Sequence, residues 1–195
     1  MLKKILLGLF IISTLSLSLL NISQAASIQS PPVRKADLYA TYPHWKTGNI
    51  TVYIPNDPKA GGMRRAFERW QNISAGNLKF SFVSKGPANI DVVFTDNVSG
   101  SDGSISEYKL TKKGNVINKA EIKIATKGKK AKNYSNNYIY TVMLHEIGHV
   151  LGLVDMPDKP TSIMHMPVSE SQDIKKVDIR NLYNIYGWSV LDRRK

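Results

Sequence analysis

Residues 145–155 read His-Glu-Ile-Gly-His-Val-Leu-Gly-Leu-Val-Asp, and no other stretch restricts the fold as strongly. Two histidines four apart share one face of a helix, so His145 and His149 can both reach a single metal ion only if this segment is helical. Glu146, between them, stands where a base can take a proton from a water on that metal. A catalytic zinc takes three protein ligands and keeps a fourth position open. No further helix position points at the same spot, so the third ligand must come from beyond the helix. Gly152 permits a sharp turn that brings Asp155 under the metal. His165 is an alternative third ligand, and Glu170 would serve if the ligand came from a following helix. Pro157, Pro160 and Pro167 leave Glu170 at the edge of the last helix, and Gly152 and Asp155 would then have no role. Two merely structural histidines on a buried helix would leave Glu146 unexplained as well.

The chain has 195 residues and no cysteine, enough for one domain with a real core. Disulfides, thiolate metal sites and a cysteine nucleophile are excluded, so any metal is held by His and carboxylates. Residues 1–25 have the layout of a secretory signal peptide: Lys3 and Lys4, an apolar run from Ile5 to Leu20, then Ser23-Gln24-Ala25. Residues 26–44, with Pro31-Pro32, read as an extended arm or short pro-segment, and 45–195 as the catalytic domain. Export without disulfides fits a bacterial protein. The formal net charge of +12 favours anionic partners such as cell-surface polymers. No nucleic-acid motif accompanies it, and Lys127, Lys129, Lys130 and Lys132 read as a loop run. No membrane association is expected after the leader is removed, and a monomer is expected.

Along the rest of the chain, Ile50, Val52 and Ile54 alternate as a strand. Asp57-Pro58 opens a helix whose apolar stripe is Met63, Ala66, Phe67, Trp70 and Ile73. Leu78, Phe80 and Phe82 predict a second strand, and Ile90 to Phe94 a buried third. Asn97 to Ser104 is polar and Gly-rich. Ile105–Leu110 and Val116–Ala125 flank a hairpin turn at Lys112-Lys113-Gly114-Asn115. Asn136 or Asn137 can cap the metal-binding helix, and Gly152 ends it. A last helix is predicted from Ser171 to Tyr186, with Ile174, Val177, Leu182 and Ile185 facing inward. The expected fold is mixed α/β (α+β): a twisted mixed sheet of about five strands, a long first helix, a central metal-binding helix and a C-terminal helix.

The motif with its Gly152 and Asp155, followed by Ser162-Ile163-Met164, resembles the metzincin zinc endopeptidases, whose pattern ends in a Met-turn. Within them the chain is most similar to the matrixin catalytic domain, on the wording from His145 to Leu153 and on a final helix ending Ile185-Tyr186-Gly187. That resemblance covers about residues 45–187. It implies a secreted endopeptidase with one catalytic zinc, Glu146 activating the water, and Met164 as an apolar floor. It also implies that an extended peptide adds to a sheet edge at about Gly103 to Lys109, here including Ile105, Ser106 and Glu107. Matrixins carry His as third ligand; Asp155 matches the snapalysin-type bacterial metzincins instead. Calcium is a possible second ion, but calcium sites cannot be matched to this chain residue by residue. The second, structural zinc is expected to be absent, and a cysteine switch is impossible. Two readings compete with this one: a gluzincin-type peptidase using Glu170, and a cationic secreted surface-binding protein that kept the fold without the activity.

Overall fold

A computed structural model describes residues 41–96, 98, 105–126 and 134–189, all within one compact unit, Val33–Lys195. The leader at 1–25, residues 26–40 of the expected arm, most of the polar stretch from Asn97 to Ser104 and the lysine run from Lys127 to Lys132 lie outside the described residues. The elements run β1 (His44–Trp45), β2 (Asn49–Tyr53), α1 (Ala60–Ile73), β3 (Lys79–Val83), β4 (Ile90–Thr95), β5 (Ser106–Lys113), β6 (Val116–Ala125), α2 (Asn136–Val150) and α3 (Lys176–Tyr186). No helix among the described residues is long and apolar enough to cross a membrane.

The expected mixed sheet is present, with six strands. β3, β2, β4 and β6 lie side by side in parallel, and β5 pairs antiparallel with β6. The sixth strand, β1, has two residues, too few to show alternation in a sequence. It pairs with Val116 and Ile117 at the start of β6, while β4 pairs with Ala120 to Ala125 further along. β5 takes the other side of β6 over nearly its whole length, and among the described residues no further strand pairs with it, so it lies at the sheet edge. The hairpin turns at Gly114-Asn115, later than the broad signal suggested.

Alternation gives the sheet a buried face. Ile50, Val52, Phe80, Ile90, Val92, Ile122 and Ile124 point into the core. α1 lays Met63, Ala66, Phe67 and Trp70 against it, and the Trp70 indole N–H donates to the Leu144 carbonyl of α2 at 2.9 Å. α2 is buried on every side from Thr141 to Val150, its polar His145, Glu146 and His149 included, as a central helix must be. Its cap differs from expectation. Asn136 and Asn137 lie inside the first turn, and Ser135, in extended conformation, accepts from the Tyr138 N–H at 3.0 Å.

The last helix also starts later than predicted, at Lys176 rather than Ser171. Ser171 has φ +63, which cannot begin a helix, and Ile174 is buried from a loop rather than a helical face. The start is fixed by Asp178, fully buried, whose carboxylate accepts from the Lys175 N–H at 2.8 Å, the Ile163 N–H at 3.1 Å and the Ser162 hydroxyl. One buried carboxylate thus ties α3 to the segment beneath the motif. Val177, expected inward, is only half-buried, and Gly187 closes the helix as expected.

Candidate metal centre

The site is built on the last two turns of α2 and the turn that follows. The N–H of Gly152 donates to the His149 carbonyl at 2.9 Å and that of Leu153 to the Gly148 carbonyl at 3.0 Å, the paired bonds of a Schellman ending. Leu151 N–H serves Ile147, and the Trp45 indole N–H reaches the Val150 carbonyl at 2.8 Å. Every carbonyl in the final turn therefore has a partner. Gly152 has φ +100, and a Cβ there would lie 1.9 Å from the Pro43 carbonyl oxygen. Only glycine meets both conditions.

This turn does more than end the helix. It carries the Leu153 carbonyl to 3.0 Å from His149 Nδ1, while the Ile163 carbonyl lies 2.8 Å from His145 Nδ1. A carbonyl can only accept, so each Nδ1 carries the proton. In the neutral rings each Nε2 is then an unprotonated donor atom. The two Nε2 atoms are 3.0 Å apart, and Asp155 Oδ1 is 3.3 Å from His145 Nε2 and 3.2 Å from that of His149. Three electron-pair donors at such separations repel unless a cation lies between them. Zinc bonds of about 2.0–2.1 Å at the tetrahedral angle would place ligand atoms about 3.3 Å apart, so the cluster fits this ion. His145, His149 and Asp155 are the one group among the described residues that could hold a metal.

Electrostatics agree with that competition for a cation. Burial, then the neighbouring His149 charge, holds the His145 pKa down to about 4. Burial also opposes protonation of His149, but the bond to Asp155 and the Glu146 charge raise its pKa above the ordinary value. Asp155 is lowered, first by that same bond to His149 and against partial burial. Without a metal, the shared proton therefore belongs on His149, facing Asp155. Glu146 is 6% exposed, and burial raises its pKa while the Ser106 hydroxyl opposes the rise. Its Oε1 accepts from Ser106 Oγ at 2.7 Å, and Oε2 is buried with no partner among the described residues. An orphan acceptor beside a metal-binding cluster is where a proton can be received.

These groups line a cleft of about 460 Å³. One wall is Ile105, Ser106, Glu107 and Tyr108 at the sheet edge, and the other is Tyr138, Val142, Met166, Pro167 and Val168. Tyr108 stacks on His149 with ring centres 4.3 Å apart, and Glu107 turns to the opposite face, where Lys123 holds it at 2.7 Å. Met164 is fully buried beneath the helix, so close that a Cβ on Gly148 would lie 2.4 Å from its sulfur. His165, the alternative ligand, turns its Nδ1 towards the Met156 carbonyl at 3.4 Å and stays out of the cluster. Glu170 accepts from Ser135 Oγ at the far end of α2. That is ten residues before His145, about 15 Å along the axis, so Glu170 belongs to the cap and not to the metal.

Sequence reasoning brought His145, Glu146, His149, Asp155, Met164 and the strand at 105–107 into one place. It did not anticipate the stack of Tyr108 on His149 or the parts played by Gly148, Asp178 and Trp45. Gly148 carried a signal, since a glycine inside a helix costs about 1 kcal/mol relative to alanine and so has a packing reason. The partners of Asp178 and Trp45 carried none.

The family model of the matrixins matches residues 42–187. Interstitial collagenase of Equus caballus is 29% identical over 189 residues, 86% of this chain and 38% of that protein. Macrophage metalloelastase of Oryctolagus cuniculus is 26% identical over 202 residues, 93% of this chain and 42% of that protein. Interstitial collagenase of Sus scrofa is 28% identical over 187 residues, 86% of this chain and 38% of that protein. The chain thus spans about two fifths of the length of these relatives.

Proposed function

The chain belongs to the matrixin family, and on that premise we propose that it is a secreted zinc endopeptidase in which Glu146 activates the hydrolytic water. The observation that carries this reading is the convergence of three electron-pair donors beside a buried carboxylate oxygen without a partner. When bound, zinc supplies Lewis acidity, polarising a carbonyl and lowering the pKa of water to about 7. His145, His149 and Asp155 hold it, the two imidazoles kept in the correct tautomer by the carbonyls of Ile163 and Leu153. Oε2 of Glu146 takes the proton of the attacking water and passes it to the leaving amine nitrogen, acting first as base and then as acid. Burial, which raises the Glu146 pKa, helps the carboxyl keep that proton until the amine needs it.

The substrate class is protein. An extended peptide lies along β5 at Ile105, Ser106 and Glu107, on the side away from β6, with main-chain hydrogen bonds to the strand. The wall of Tyr138, Val142, Met166, Pro167 and Val168 receives an apolar side chain across the cleft. The relatives are named for collagen and elastin, which makes matrix proteins the first substrates to try. The leader at 1–25 directs export from a bacterial cell, and the charge of +12 favours retention near anionic surface polymers. The protein acts as a monomer, without a membrane or nucleic acid.

The test is Glu146→Gln, which keeps shape and removes the base. Peptide cleavage is expected to fall by about 10²–10⁴-fold while zinc content, read by mass spectrometry, is unchanged. A zinc-loaded Glu146→Gln protein that still cleaves at the wild-type rate would overturn the assignment.

A further inference from the structure

We propose that Ser106 is a positioning residue, which holds the Glu146 carboxylate in one orientation and joins the base to the strand that receives the substrate. The proposal rests on the reading of Glu146 as base and extends it to a residue outside α2. A carboxylate has two equivalent oxygens and a broad, roughly two-fold terminal torsion, so on its own it does not choose which oxygen to present. Ser106 Oγ donates to Oε1 at 2.7 Å, and among the described residues this is the carboxylate's one hydrogen bond. Oε1 is thereby committed, and Oε2 is left as the free acceptor. Glu146 is 6% exposed, so water does not compete freely for the bonded oxygen.

The strand is in the right register for this. Ser106 pairs with Ile124, a core residue, so its side chain lies on the face of β5 towards α2. Glu107 points the other way, to Lys123, and Tyr108 returns to the first face and stacks on His149. Residues i and i+2 of the strand thus touch residues i and i+3 of the helix. An edge strand that carried apolar side chains here would still bind a peptide, but it would leave both oxygens of Glu146 without a partner. With serine, the strand that carries the peptide also aims the base, so their separation is set by one element.

The experiment uses the zinc-loaded full chain and the variants Ser106→Ala, Ser106→Thr and Glu146→Gln. Ser106→Ala is expected to lower kcat about ten-fold with KM changed less than about two-fold, because the bond orients a reacting group and does not hold the substrate. Zinc content and Tm should stay at wild-type values, and a crystal structure should show the Glu146 carboxylate in more than one orientation. Ser106→Thr keeps the hydroxyl and should restore kcat to within about three-fold of wild type. Wild-type kcat in Ser106→Ala, beside an inactive Glu146→Gln, would overturn the tether and leave the base assignment standing. Equal losses in the Ala and Thr variants, or a loss accompanied by loss of zinc, would make Ser106 a packing residue and also overturn it. Cleavage by Glu146→Gln would instead remove the base assignment itself.

Discussion

On the α2 side of the cleft, backbone holds the functional groups. Both imidazoles donate to main-chain carbonyls, the helix ends in a fully bonded turn, and Gly148 and Gly152 sit where a single methyl would collide. On the β5 side, side chains hold side chains: one hydroxyl on Glu146 and one phenol ring over His149, the latter 43% exposed. The contrast separates two jobs. The geometry of the two imidazoles is part of the fold and cannot change without it. The orientation of the Glu146 carboxylate and the lining of the rim rest on side-chain contacts alone.

The strongest way to break this contrast is Gly152→Ala. Left-handed strain and the contact with Pro43 together should cost about 3 kcal/mol, a Tm drop of roughly 10 °C, and zinc affinity should fall as Leu153 leaves His149. Calorimetry with and without zinc reads both, and an alanine variant with native Tm would show that the turn is not as constrained as its geometry indicates. A second, intermediate effect follows from protonation. His149 holds its proton above the ordinary imidazole value, zinc needs that nitrogen bare, and His145, down at about 4, adds nothing near neutrality. Affinity should therefore weaken as pH falls below the raised His149 pKa, by up to about one decade per pH unit for the one proton displaced. Competition against a zinc-binding dye at several pH values measures it; a flat profile between about pH 8 and 6 would remove the His149–Asp155 proton from the account. The smallest effect is predicted on the rim. Tyr108→Ala removes a ring stack of about 0.5–1.5 kcal/mol, so Tm should move by only a few degrees and zinc stoichiometry not at all. Loss of zinc in Tyr108→Ala would mean that the rim, too, holds the ligands.

The same contrast explains what the sequence revealed. Alternation located β2, β3 and β6 and helical spacing the stripe on α1, because burial on one face leaves a repeating mark, while an apolar run located β4 and a turn signal β5. The cluster that could hold a metal was readable because His145, His149, Gly152 and Asp155 lie within eleven residues, where chain geometry alone brings them together. Contacts distant along the chain left no such mark. Ser106 could be placed on an edge strand but not against Glu146, forty residues away. Asp178 showed no trace of the three donors it serves, and without it the start of α3 was set too early. Ser135 outcompeted Asn136 and Asn137 as a cap because the backbone, not the residue type, decided which side chain could reach back.

The bond from Trp45 to the last carbonyl of α2 has a consequence for maturation. Pro43, against Gly152, and Trp45, at Val150, make the stretch just before β2 a working part of the metal centre. Any amino-terminal trimming would therefore meet a limit set by this hydrogen bond and by the approach of Pro43 to Gly152. A cut ahead of Tyr42 leaves the end of the zinc helix closed. A cut beyond Trp45 would bare the Val150 carbonyl and remove the wall behind Gly152, turning a processing event into inactivation.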